Sequence, residues 1–258
     1  MLKITVLGSG TSMGVPTIGC DCDVCRSPDP HDNRLRPSVL VTYNGRNVLI
    51  DTTPDFRTQA LRAQIRRVDA ILFTHEHADH IMGLDDVRPF NFRQKEQIPI
   101  YAAPETMAVI RRTFHYIFDG RQKESNVPRL DCRTLDGGPF ELFGLEFRPV
   151  PLLHGAQQIY GFRFGRAAYL TDHSEVPAAS CQLLGGLDVL FLDALRYKPH
   201  PTHSTVDRSL ATARLVEARR VFFTHICHDL PHARTEAKLP EHVRLAYDGL
   251  EIEVEEGS

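Results

Sequence analysis

Short apolar segments separated by turn residues run the length of the chain. In the first half, Lys3–Leu7, Ser38–Tyr43, Asn47–Asp51 and Ala70–Phe73 read as strands. "VTYNGRNVLID" sets an Asn-Gly pair between two of them, the strongest short hairpin signal. Pro54 opens a helix expected through Ile65, with "ALRAQIRR" supplying its periodicity. Another helix is expected after His80, and a third from Pro104 to about His115. The second half repeats this style. Strands are expected at Phe140–Leu142, Leu145–Pro149, Ile159–Phe164, Ala167–Thr171, Val189–Leu192, Arg220–Phe223 and Leu250–Val254, with a helix at Val206–Glu217. Residues 115–139 are polar and turn-rich and read as a long excursion. Strands mostly precede helices in two similar halves. That pattern fits an α/β (α+β) protein with two mixed sheets packed face to face and helices outside. Neither a linker nor an internal repeat divides the chain, so a single domain over 1–258 is expected.

Composition narrows the partners. Apolar residues make up 42% of the 258, enough for a large core, and the net charge is −3. A nucleic-acid binder would usually carry a basic face or tail, so nucleic acid is not the expected partner. No apolar run approaches a membrane span, and "MLKITVLGSG" reads as a strand rather than an export signal. A soluble, cytoplasmic protein with no membrane partner is expected. There, six cysteines are more often thiols or metal ligands than disulfides.

The densest chemistry lies in "FTHEHADHIMG". His75 and His77 are two apart and fall on one side of an extended chain; Asp79 and His80 follow. Imidazoles and a carboxylate after an apolar strand suit Zn²⁺ and similar ions. A surface turn rich in histidine is the plainer explanation, but further donors sit at other strand exits. His154 follows "FRPVPLL", Asp172 follows "AAYLT" and His225 follows "VFFT".

With these residues in place, the sequence resembles the metallo-β-lactamase superfamily from "LGSGTS" to "THICH". The resemblance implies a four-layer αβ/βα sandwich with the site at one edge between the halves. It implies that His75, His77 and His154 hold one metal, that Asp79, His80 and His225 hold a second, and that Asp172 bridges them. Asp51 matches an acid that the family places behind a ligand histidine, where it would fix the tautomer.

"GCDCDVCRS" carries Cys20, Cys22 and Cys25, three thiolates in one turn, a soft donor set matched to structural Zn²⁺. The alternative is a cluster of buried thiols. A closed site needs a fourth ligand: His228 is the first choice, with Cys227 and His31 behind it. Cys132 and Cys181 lie in apolar contexts and are expected in the core. The lead-in "GSGTSMGVPTIGCDCDVC" with "THICHD" resembles the cyclic-phosphate phosphodiesterase branch, where a Cys₃His zinc is an additional structural site. The cofactors expected are therefore two divalent ions, Zn or Mn, at the catalytic site and one structural Zn.

The reaction expected is hydrolysis of a small phosphodiester by hydroxide generated between the two metals, with Asp79 and His203 as catalytic residues. "PTHSTVD" places His203 ahead of a helix. The phosphodiesterase branch and the tRNA 3′-end processing endonuclease both carry a His-x-Thr here that acts on the scissile phosphate or leaving group. The endonuclease is the nearest rival, although "GRQK" in 115–139 is a small basic signal beside its usual arm. A metal-stabilised binding protein is the non-enzymatic rival. Arg88 in "GLDDVRPFNFR" fits either phosphate binding or helix packing, and the resemblance favours a homodimer.

Overall fold

The computed structural model describes residues 1–120 and 126–255. Its first sheet holds β1 (Leu2–Gly8), β2 (Ser38–Tyr43), β3 (Arg46–Ile50), β4 (Ala70–Leu72), β5 (Ile98–Ala102) and β6 (Leu130–Thr134). The second holds β7 (Phe140–Leu142), β8 (Leu145–His154), β9 (Gln157–Phe164), β10 (Ala167–Leu170), β11 (Val189–Asp193), β12 (Arg220–Thr224) and β13 (Val243–Leu245). The final strand, β14 (Glu251–Val254), crosses back to pair antiparallel with β1. The orders are 14-1-2-3-4-5-6 and 13-12-11-10-9-8-7, each sheet mixing parallel and antiparallel pairs.

Three apolar layers explain the packing. Val39, Ile50 and Leu72 of the first sheet meet Phe147, Phe162 and Tyr169 of the second in the central layer. Outside the first sheet, Phe56 of α1 (Phe56–Arg62) and Phe90 of α3 (Arg88–Gln94) pack with Met107 and Ile110 of α4 (Pro104–Thr113). Outside the second sheet, Leu184 follows α6 (Ala178–Gln182), and Val206 and Ala213 lie on α7 (Val206–Val216). Each fully buried Phe or Leu contributes about 1.5–3 kcal/mol. The result is the αβ/βα layering expected from the sequence, with α2 (Ala78–Ile81), α5 (His115–Phe118) and α8 (His232–Glu236) as short additions. Among the described residues, no helix is long and apolar enough to cross a membrane.

Several boundaries differ from the sequence reading, each for a local reason. The first helix starts at Phe56, because Thr53 Oγ1 accepts the Asp55 N–H in a turn before it. It stops at Arg62, where Gln64 turns left-handed (φ 51°) and Ile65 N–H closes onto Ala60. Strand β8 runs on through Pro149 and Pro151 to His154. Both prolines share the parity of Leu153, whose N–H and C=O bond away from β9 to residues 174 and 175. Their missing N–H groups therefore face an edge without a ladder, where proline costs nothing. Strand β5 went unread because Pro99 interrupts it; its partner β6 is a polar edge strand inside the segment read as an excursion. Strand β13, as short as β7, lacks the adjoining hairpin turn that marks β7 and went unread. "GRQK" extends beyond Gly120 into residues outside the described set.

Candidate metal centre

The strand exits converge on one edge between the two sheets. Thr74 and His75 follow β4, His154 ends β8, Asp172 follows β10, Asp193 ends β11 and His225 follows β12. Three residues there adopt the left-handed region without being glycine: Asp51 (φ 65°), Asp172 (φ 59°) and His225 (φ 58°). Such backbone costs of order 1–3 kcal/mol and persists where the surroundings over-determine it. Here it turns a polar side chain out of the strand direction and into the cluster.

Two donor groups form. His75, His77 and His154 present ligand atoms within 4.8 Å of one another, and so do Asp79, His80, Asp172 and His225. His75 Nε2 lies 3.0 Å from His77 Nδ1, with the His154 ring 5.4 Å from the His75 ring and 5.1 Å from the His77 ring. Asp172 stands between the groups. Its Oδ1 is 3.1 Å from His225 Nε2, while its Oδ2 is 3.2 Å from His80 Nε2 and 3.9 Å from His75 Nε2. His80 Nε2 is also 3.2 Å from Asp79 Oδ2. Despite these distances, Asp79 Oδ2, His80 Nε2 and His225 Nε2 are buried without a hydrogen-bond partner. Donor atoms crowded together yet not bonded to one another are aimed at a common point, as a cation requires. The donor set and its burial fit divalent metals.

Electrostatics favour the metal-binding forms of His75 and Asp172, whereas His80 holds a proton that a cation would have to displace. Burial and the charge of His80 hold His75 well below the usual imidazole range, leaving it neutral with a free lone pair. Burial would raise Asp172, but His225 and His80 overcome it and hold the carboxyl well below its usual range. Burial would likewise lower His80; the carboxylates of Asp172, Asp79 and Asp51 reverse this and raise it.

Behind the donors stand two buried acids. Asp51 Oδ2 is 2.8 Å from His80 Nδ1, and its oxygens also accept from the N–H and Oγ1 of Thr74. Asp193 repeats this arrangement in the second sheet. Its Oδ2 lies 3.2 Å from His203 Nδ1 and 3.4 Å from His225 Nδ1, and Oδ1 accepts the Ser204 N–H. The sequence reading passed over Asp193. The signal was present, because a carboxylate ending "VLFLD" matches Asp51 ending "NVLID". His203 is buried, and it groups with His154 and Asp172 as well as with Asp193 and His225. His154 Nδ1 donates to the Thr202 carbonyl (2.9 Å), so the loop carrying His203 also orients His154. Arg88 is engaged elsewhere, by Asp85 (2.9 Å) and the Asn126 carbonyl (3.0 Å).

A separate cluster joins Cys20, Cys22, Cys25 and His228. His228 Nδ1 is 3.3, 3.7 and 3.3 Å from the three sulfurs in that order. These are edge lengths of a tetrahedron whose corners lie roughly 2.0–2.3 Å from its centre, the zinc–nitrogen and zinc–sulfur distances. The Cys25 N–H points at Cys22 Sγ (3.5 Å) and is the chief cause of that thiol's lowered pKa. The other two candidates for the fourth position are used otherwise. His31 stacks on Tyr247 (4.1 Å), and Cys227 Sγ accepts the Asp229 N–H (3.4 Å). Cys132 packs half-buried against the outer layer of the first sheet, and Cys181 is half-buried.

Known proteins share the fold that carries these residues. The Beta-lactamase superfamily domain matches residues 46–226. An octanoyltransferase from Porphyromonas gingivalis is 39% identical over 99% of this chain and 52% of its own length. A ribonuclease Z from Bradyrhizobium diazoefficiens is 27% identical over 52% of this chain and 46% of its own. The chain thus spans about half the length of these curated relatives. A crystal structure of a diphosphatase from the PhnP family is 55% identical and superposes with a TM-score of 0.93, covering 99% of this chain and 98% of that one. With its layered fold, its histidine-and-carboxylate cluster and these matches, the chain belongs to the metallo-β-lactamase superfamily.

Proposed function

We propose that the protein is a metal-dependent phosphodiesterase acting on a small cyclic phosphate or a nucleotide-like phosphodiester. One observation carries the reading: the Asp172 carboxylate faces both donor groups, with Oδ1 toward His225 and Oδ2 toward His80 and, at 3.9 Å, toward His75. His75, His77 and His154 would hold one divalent ion, Asp79, His80 and His225 a second, with Asp172 shared. Zn²⁺ and Mn²⁺ both suit the nitrogen and oxygen donors. Such ions, when bound, lower the pKa of water and neutralise charge on a phosphate undergoing displacement.

The chain's own residues do the rest. Asp51 holds His80 through Nδ1, which frees its Nε2 for coordination, and Asp193 stands 3.4 Å behind His225 Nδ1 as a charge partner that favours the same tautomer. His203 Nδ1 is committed to Asp193, and burial lowers the His203 pKa, so the proton its Nε2 gives to the departing oxygen is replaced through Nδ1 from the raised Asp193 carboxyl. A departing alkoxide needs that proton far more than a departing phosphate does. The solved structure described as a diphosphatase supports attack at phosphorus. The Cys20, Cys22, Cys25 and His228 cluster would hold a structural zinc.

The relatives called ribonuclease Z favour a second reading, an RNA 3′-end hydrolase. Metal-reconstituted protein should be offered bis(p-nitrophenyl) phosphate, a ribose cyclic phosphate and a 3′-extended tRNA precursor. Turnover of the small diesters without precursor cleavage supports the proposal. Cleavage of the precursor alone would replace it with the second reading, and no turnover at all would favour a metal-stabilised binding protein.

A further inference from the structure

Glu76 stands between His75 and His77, yet its carboxylate serves other elements. Oε2 accepts from Thr106 Oγ1 in the first turn of α4 (3.0 Å), and Oε1 accepts from Gln157 Nε2 at the start of β9 (2.6 Å). Thr106 is buried, and the first turn of a helix favours a negative charge. The Gln157 bond crosses from the first sheet to the second, and its charged acceptor makes it stronger than a neutral pair. Gln157 is the cross-strand partner of His154, across a hairpin turn whose Gly155 is left-handed (φ 64°). A backbone bond runs beside it, from Tyr160 N–H to the Thr74 carbonyl (3.1 Å).

The three-histidine group draws His75 and His77 from one sheet and His154 from the other. Its geometry therefore depends on how the two sheets are fixed at this edge. We propose that Glu76 and Gln157 form a cross-sheet clasp, a pair of positioning residues that sets His154 against His75 and His77. The clasp thereby sets the group's affinity for its divalent ion. Both carboxylate oxygens of Glu76 are occupied by fixed donors, so it acts as a tether. The inference rests on the reading of this group as a metal site.

The test is Zn²⁺ binding in competition with a chromophoric chelator. It compares the wild type, Glu76→Ala, Gln157→Ala, the double alanine variant and the swap Glu76→Gln with Gln157→Glu. Each single variant should weaken one bound equivalent by about 10–100-fold, the range for groups that orient metal ligands. The double variant should be no weaker than either single one. The swap keeps a donor facing an acceptor, and the amide it places between the two histidines still offers Thr106 an oxygen, so it should restore most of the affinity. Additive losses, a swap no better than the alanines, or single variants with wild-type affinity would overturn the clasp while leaving the metal site intact. A wild type that binds zinc at the cysteine cluster alone would remove both the clasp and the metal reading.

Discussion

Asp193 Oδ2 lies 3.2 Å from His203 Nδ1, and the same oxygen is 3.4 Å from His225 Nδ1. One buried carboxylate thus bonds one imidazole and stands against a second, His203 beside the cluster and His225 within it. Burial raises Asp193 well above the usual carboxylate range, which favours a proton held between it and the imidazoles.

Replacing Asp193 by Asn should disturb both imidazoles, because an amide NH₂ facing Nδ1 imposes the wrong tautomer. The expected loss in kcat on an alkyl phosphodiester is about 10²-fold or more, with weakened metal binding through His225. His203→Ala should lose a similar rate while keeping its metal content, and should lose less with a p-nitrophenolate leaving group. Equal metal loss in both variants would show that His203 is itself a ligand.

Asp172→Ala should remove the carboxylate shared by the two donor groups. Metal analysis is expected to show loss at the histidine cluster, with one zinc retained by the cysteine cluster, and hydrolysis should vanish. Circular dichroism should keep its native shape, since the central apolar layer is untouched. Retention of full activity would remove Asp172 from the site.

For the cysteine cluster, Cys22→Ser is expected to cost one zinc per chain and to lower the Tm, because metal binding is coupled to folding. The cluster ties the lead-in loop to His228, three residues past His225. An unchanged Tm with unchanged zinc content would show that Cys22 does not hold a metal.

Away from the metals, Arg34 is buried and donates to Ser9 Oγ, the Ala246 carbonyl and His232 Nδ1. Burial lowers the Arg34 guanidinium to about 10. Burial and the neighbouring Arg34 charge hold His232 down at about 4, whereas an unfolded His titrates near 6.5. Below about 6.5 the unfolded chain takes up this proton and the folded chain does not, so stability falls as pH drops from about 6.5 to about 4. His232→Gln keeps an acceptor for Arg34 but cannot titrate. Its Tm should fall less steeply with acid than that of the wild type, and parallel curves would refute this role for His232.

The donors were legible because their signals are local. His75, His77, Asp79 and His80 crowd one strand exit, and His154, Asp172 and His225 each stand at or just past the end of an apolar run. Asp193 carried the same signal but was passed over when its strand was ended at Leu192. Glu76 and Gln157 gave no signal, since their bond joins residues far apart in sequence through the meeting of two sheets. The strands that escaped notice were Pro-interrupted, polar, or short without a hairpin turn beside them, where alternation is too weak to read.

The most direct test of the central claim is the rate of bis(p-nitrophenyl) phosphate hydrolysis as Zn²⁺ is added stepwise to metal-free protein. Two donor groups sharing Asp172, together with one cysteine cluster, predict that the rate saturates only when three equivalents are bound per chain. Saturation at a single equivalent, or no hydrolysis with all three bound, would contradict a two-metal phosphodiesterase.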